Sequence, residues 1–194
     1  MKYYKEEIKQ YLVNKGIQYR ILEHPAVYTM AEMEQLGIFR EGRVCKNLFL
    51  RDQKGKQHFL VSLPEEKQAS LKDLGEKLGV QRLSFASEER LQKYLGVTHG
   101  AVSPLGILNK ETHSVTFVLD REILQWDAVG VHPNDNTATV WLSPQTLQAL
   151  VNEAGNHSTL TKNPRCTAMH RGFHICQKPR ASKTAPAAQQ SALW

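Results

Sequence analysis

Long apolar runs are missing from this 194-residue chain. No stretch approaches the roughly 20 consecutive apolar residues that a bilayer-spanning helix needs. Cysteine is scarce and odd in number (Cys45, Cys166 and Cys176), which argues against a disulfide framework and for a reduced, cytoplasmic protein. The opening MKYYKEEIKQYL places glutamates where a secretory signal needs an uninterrupted apolar core. Residues 1–154 contain no H-E-x-x-H, no G-x-x-x-x-G-K-[ST] and no G-x-G-x-x-G. Metalloprotease, nucleotide hydrolase and dehydrogenase readings therefore lack support. Acidic side chains stop altogether at Gly155, while Lys162, Arg165, Arg171, Lys178, Arg180 and Lys183 follow.

What is present describes one soluble domain with an appendage. A composition of 41% hydrophobic and 23% charged residues suits a buried core, and the length suits one domain better than two. The net charge of +6 resides wholly in the six cations after Gly155, because the other 19 basic residues balance 19 acidic ones. From residue 155 the chain turns polar and Ala/Pro/Gln-rich, so 155–194 is expected to be a disordered basic extension of a domain spanning 1–154. Such an extension is attracted to phosphate backbones without reading sequence; a plain solvated tail is the alternative.

Apolar spacing predicts a helix over 3–15 ended by Gly16, then a strand in IQYRIL, broken at His24-Pro25. Thr29-Met-Ala-Glu32 has capping-box spacing and opens a short helix ending near Gly37. Residues 44–50 and 57–63 read as a hairpin; Ser70 and Ser87 cap two helices ending at Gly79 and Gly96. HSVTFVLD and NTATVWLS alternate as strands, and Ser143-Pro144 starts a final helix. Strands and helices mix without regular alternation, so the fold class is α+β on a mixed sheet.

Four constellations bear on chemistry. In VCKNLFL, both strand faces are otherwise apolar, yet Lys46 and Asn47 sit in the middle. An unpartnered buried ammonium costs several kcal/mol. Lys46 thus either pairs or snorkels at an edge, or faces a ligand, and the interior position favours the ligand. Neighbouring Cys45 reads as a small buried hydrophobe. The loop Gly100-Ala-Val-Ser-Pro104 can present backbone N–H groups to an oxyanion, while Ser103 lacks the glycine spacing of a nucleophile elbow. In Gly130–Val140, GVHPNDNTATV, a tight polar turn runs straight into a strand; on composition alone His132, Asn134 and Asp135 are turn residues, as His24 and His99 are loop residues. Finally, Cys166, His170, His174 and Cys176 match no common zinc spacing.

His24–Thr29 (HPAVYT), Cys45–Asp52 (CKNLFLRD), Lys77–Ala86 (KLGVQRLSFA), Gly100–Pro104 (GAVSP) and His132–Thr139 (HPNDNTAT) occur in this order. Together they resemble the YbaK-type aminoacyl-tRNA editing family, in its free-standing prolyl-tRNA synthetase-associated branch. The resemblance covers the chain from its first residues to Ala154. It implies a mixed, strongly curved sheet and hydrolysis of mischarged tRNA in trans, with alanyl-tRNA(Pro) as substrate and without metal or cofactor. It implies a catalytic set of Lys46, Gly100, Ser103 and His132, with Tyr28, Asn47, Ala101, Val102, Pro104, Asn134 and Asp135 binding substrate. Water is the implied nucleophile, assisted by the free ribose hydroxyl of the terminal adenosine and by backbone groups of the 100–104 loop. A small apolar pocket is expected, with Val27, Tyr28, Leu48 and Phe49 near it, because a second site admitting only smaller groups corrects a proline pocket that cannot reject alanine. The expected partners are the tRNA(Pro) acceptor end and prolyl-tRNA synthetase, the protein itself being a monomer. Two rivals remain: a deacylase of cysteinyl-tRNA(Pro) or another small aminoacyl-tRNA, as relatives perform, and a non-catalytic tRNA- or synthetase-binding module.

Overall fold

The computed structural model of the chain describes residues 3–109, 114–156 and 158–160. In chain order these form helix α1 (Lys5–Asn14), strand β1 (Arg20–Glu23), helices α2 (Met30–Gln35) and α3 (Ile38–Glu41), and strands β2 (Cys45–Arg51) and β3 (His58–Pro64). Helix α4 (Leu71–Leu78), strand β4 (Ser84–Phe85) and helix α5 (Glu88–Tyr94) follow, then strands β5 (Val115–Leu119), β6 (Val129–Val131) and β7 (Ala138–Leu142), helix α6 (Pro144–Glu153) and strand β8 (Ser158–Leu160). No helix among the described residues is long and apolar enough to cross a membrane.

Local chemistry sets the helix ends. Thr29 Oγ1 accepts from Glu32 N at 3.2 Å and the Glu32 carboxylate accepts from Thr29 N at 3.1 Å, closing the capping box that starts α2. Ser70 and Ser143 accept from Asp73 N and Thr146 N in the same way, while Ser87 precedes α5 without a side-chain cap bond. Gly79, with φ +71°, ends α4 in the left-handed conformation that glycine adopts without strain. Helix α1 docks through Ile8 and Leu12, both fully buried, each contributing roughly 1.5–3 kcal/mol.

The strands form a five-stranded mixed sheet, ordered β4-β2-β3-β5-β8, and a three-stranded antiparallel sheet, β1-β7-β6. Strand β3 pairs antiparallel with β2 and parallel with β5, as the expected α+β class requires. The sheets meet where Val44 bridges Gly130 in parallel, just before β2 begins. Gly130 fits that seam because a Cβ there would lie 2.7 Å from Val44 Cγ1 and 2.8 Å from Trp141 Nε1.

The fold runs past Ala154, where the sequence led us to end it. Asn156 is buried and its Oδ1 accepts from Val115 N at 3.3 Å. Strand β8 then pairs with β5, Phe117 opposite Ser158 and Leu119 opposite Leu160. A polar three-residue strand has too little apolar periodicity to be read from sequence. The cysteine and histidine group at 166–176, and the expected disorder of the tail, lie outside the described residues.

Candidate functional site

A cavity of about 190 Å³ opens at the seam between the two sheets. Its walls come from the segment preceding and including α2 (Val27, Tyr28, Met30, Met33), the start of β2 (Val44, Cys45, Lys46, Asn47), the 99–102 loop, and β6 with its continuation to His132, closed by Thr139 of β7. Among the described residues, no carboxylate side chain lines it.

Six of the eleven site residues expected from the sequence line this cavity: Lys46, Asn47, Gly100, Val102, His132 and Tyr28. Lys46 Nζ donates to Glu65 O at 3.0 Å and is half-buried, not sealed in the core. The reason is the sheet order: β3 accompanies all of β2, but β4 pairs only with Leu50 and Arg51. The first half of β2 therefore has an open edge, and the cavity sits there. Asn47 Oδ1 accepts from Ser62 Oγ at 2.6 Å, which holds the carboxamide oxygen and leaves the amide N–H₂ as a donor at the cavity. Burial pushes the Cys45 thiol up to about 12, so it is no nucleophile at neutral pH.

His132 Nδ1 lies 2.8 Å from Ala138 O. A carbonyl only accepts, so Nδ1 carries the proton and Nε2 presents a lone pair. Burial lowers the pKa of this ring; the bond to Ala138 opposes the shift, and nearby His24 adds to it. The imidazole is thus a neutral acceptor at physiological pH.

Gly100, with φ +90°, lies at the rim, where a Cβ would come within 2.8 Å of Tyr28 Cδ1. Tyr28 is 60% exposed, so its ring forms an accessible lip. The Glu88 carboxylate accepts from His99 N and Thr98 O accepts from Ala101 N at 3.1 Å, fixing the loop.

The other five expected residues stand outside the lining. Ala101 is core, and its N–H is committed to Thr98. Ser103 is fully buried with Oγ accepting from Leu105 N at 3.2 Å, and Pro104 opens a buried 3-10 turn, Pro104–Asn109. Asn134 takes φ +59° and donates to Tyr3 O and Leu105 O. Asp135 Oδ1 accepts from Thr137 N at 2.8 Å; burial raises its pKa, but the Thr137 bonds outweigh that and hold it low. These two residues shape the turn, as their composition alone suggested. Asn136 completes it: its amide donates to Val27 O, and Val27 N donates back to Asn136 O, pinning the cavity's α2 side to the turn. The tight turn leading into a strand therefore builds two cavity walls at once. Of the apolar candidates, Val27 and Tyr28 line the cavity; Leu48 and Phe49 lie farther along β2 and pack in the core clusters.

Sequence reasoning passed over Thr139, Met30 and Met33, and read His24 as a loop residue. Thr139 is fully buried in β7, and its Oγ1 lies 3.0 Å from His24 Nε2. His24 Nδ1 lies 2.8 Å from Pro25 O, and the His24 and His132 rings are 6.1 Å apart. Only the register Leu22↔Thr139 reveals that a histidine before a proline reaches this strand.

A mixed sheet carrying a small, carboxylate-free cavity with a lysine, an asparagine and a neutral histidine defines the class. Its fold is shared with a crystal structure of a proposed trans-editing enzyme for prolyl-tRNA synthetase, at TM-score 0.62 and 20% identity over 82% of this chain and 96% of that one. The chain belongs to the aminoacyl-tRNA editing domain family, whose model matches residues 24–150. It is 51% identical over 140 residues to the prolyl-tRNA editing protein ProX of Acetoanaerobium sticklandii, covering 72% of this chain and 85% of that protein. It is also 36% identical over 154 residues to prolyl-tRNA synthetase associated domain-containing protein 1 of Mus musculus, covering 77% and 90% respectively.

Proposed function

We propose that this chain deacylates mischarged tRNA(Pro) in trans, with alanyl-tRNA(Pro) as its substrate. One observation carries the reading: the cavity sets the donors Lys46 and Asn47 and the acceptor His132 around apolar side chains, in a space suited to a small aminoacyl group. The 51% identical relative named as a prolyl-tRNA editing protein supports the choice of tRNA.

An aminoacyl ester is already activated, so orienting water and stabilising the oxyanion suffice. Water oxygen attacks the carbonyl carbon, the bond to the ribose oxygen breaks, and that oxygen takes up a proton, giving free amino acid and tRNA. In this scheme Lys46 Nζ, holding only a backbone carbonyl, keeps N–H donors for the aminoacyl-adenosine end. The Asn47 amide is a further donor. The loop's contribution narrows to the N–H groups of Gly100 and Val102, since that of Ala101 is engaged. Ser103 has no part in it. The Tyr28 ring offers a stacking surface for the terminal base. The binding partner is the acceptor end of tRNA(Pro), with prolyl-tRNA synthetase as the enzyme whose errors it corrects.

The test is ester loss from tRNA(Pro) charged separately with alanine, proline and cysteine, with EDTA present. Rapid loss of alanine with proline spared is expected. Faster loss of cysteine reassigns the substrate, and tight tRNA binding without loss of any ester makes the domain a binding module.

A further inference from the structure

Strand β3 reads HFLVSLP, and its one hydroxyl, that of Ser62, is fully buried. A buried hydroxyl costs free energy unless it is hydrogen-bonded, and alanine would sit in the same strand without that cost. The sheet register shows where the hydroxyl is used. Ser62 stands directly opposite Asn47 of β2 and pairs with Leu119 of β5, so it lies on the central strand of the five-stranded sheet. Its carbonyl also accepts from Asp120 N at 3.0 Å, which makes it a rigid support.

Two protons converge on one oxygen there. Ser62 Oγ donates to Asn47 Oδ1 at 2.6 Å, and Cys45 Sγ donates to the same oxygen at 3.5 Å. Burial keeps the Cys45 thiol in its protonated, donating form. A carboxamide has one oxygen that accepts and one N–H₂ that only donates. Turned over, it would set its N–H₂ against both donors, and the Ser62 proton would lose its oxygen acceptor in the core. The oxygen therefore faces the sheet, and the N–H₂ is left for the cavity that Asn47 lines.

Resting on the aminoacyl-ester reading, we propose that Ser62, seconded by Cys45, is a positioning residue for deacylation: it locks the Asn47 carboxamide so that the cavity meets substrate with a donor at this point and not an acceptor. Ser62 itself does not line the cavity, so it reaches substrate only through Asn47. Without the lock the carboxamide turns about its Cβ–Cγ bond and shows its oxygen where the ester oxygens need a proton. A side chain held by a second layer on a rigid strand is pre-organised before substrate arrives.

The test uses the full chain and two readouts. In ¹⁵N-labelled protein the side-chain amide pair of Asn47 is identified by its loss in Asn47→Ala. Its order parameter should be about 0.8 in the wild type and fall below about 0.6 in Ser62→Ala. Cys45→Ala, which removes the longer bond, should lower it less; if Ser62→Ala does not fold, this variant carries the same test. The second readout is a double-mutant cycle on deacylation of alanyl-tRNA(Pro). Ser62→Ala should lower kcat/KM about 3–10-fold in the wild type, the worth of one hydrogen bond, and leave it unchanged in an Asn47→Ala background. A merely structural role would slow both backgrounds equally and overturns the proposal, as does an Asn47 amide that stays rigid in Ser62→Ala. If no ester is hydrolysed but the amide loosens, the hydrolase reading falls and the lock on Asn47 remains; hydrolysis with an amide that Ser62→Ala leaves rigid gives the reverse.

Discussion

Replacing Gly130 by alanine probes the seam on which the cavity depends. The added Cβ would lie 2.7 Å from Val44 Cγ1, 2.8 Å from Trp141 Nε1 and 3.1 Å from Arg43 O. Carbon contacts are comfortable at about 3.5–4.0 Å, so the sheets must part by roughly 1 Å. None of these neighbours yields easily. Gly130 N donates to Arg43 O at 2.8 Å, Trp141 Nε1 donates to the same oxygen at 3.1 Å, and the Arg20 guanidinium lies 4.4 Å from the Trp141 ring centroid. Overpacking of this kind, with one weakened buried hydrogen bond, costs about 2–4 kcal/mol. For a chain of this size that lowers Tm by roughly 4–16 °C. Val44, Gly130 and Val131 also line the cavity, so deacylation should fall even at temperatures where the variant is folded. Gly16→Ala is the control: it has φ +65° and no atom within 4 Å, so it should cost only the left-handed strain of about 1–2 kcal/mol. Thermal unfolding by circular dichroism reads both variants. A Gly130→Ala protein melting with or above the Gly16→Ala control would refute the reasoning.

Lys46→Ala should lower deacylation by orders of magnitude with little change in Tm, because the half-buried ammonium bonds only a backbone carbonyl; near-normal turnover in the folded variant removes Lys46 from the site. His58 is 1% exposed, stacked on Tyr94 at 3.8 Å and held by Arg90 at 2.8 Å, and burial followed by the Arg90 charge takes its pKa down to about 4. A depressed pKa gives stability that is complete above about pH 6.5 and is lost as pH falls toward 4, roughly 3 kcal/mol in all. Urea midpoints should therefore drop between about pH 7 and pH 4.5, and less so in His58→Gln; an equal drop in both would be the contrary result. Deleting residues 164–194, which include Arg165, Arg171, Lys178, Arg180 and Lys183, should weaken tRNA binding chiefly at low salt and flatten the salt slope by at most about 4.5. An unchanged slope would show that these cations touch no phosphate.

The legible parts of the fold were those written in local chemistry. Thr29 with Glu32, Ser70, and Ser143 before Pro144 announce helix starts through backbone geometry and one hydrogen bond each. Strands β4, β6 and β8, of two or three residues, carry no period long enough to read, and pairing alone makes them strands. The same limit divides the site. Lys46 was conspicuous because a lysine conflicts with an apolar strand, yet its half-open position depends on how little of β2 is covered by β4. Asn134 and Asp135 stand off the cavity lining: the Asn134 amide ties the turn to Tyr3 and Leu105, and the Asp135 carboxylate is bonded by Thr137. Thr139 drew no notice and His24 read as a loop residue: a threonine in a strand and a histidine before proline are ordinary, and only the pairing of β1 with β7 joins them.

The polar strand β8 has a bearing on solubility as well as on boundaries. It covers the row of N–H and C=O groups along β5, a strand whose Phe117 and Leu119 are fully buried and whose Val115 is nearly so. A chain cut at Ala154 would bare that row as a ready-made template for a second copy. Ser158, Thr159 and Leu160 occupy that edge, so a fragment ending at Ala154 is expected to self-associate more than one that keeps them, a difference read by size-exclusion chromatography of the two.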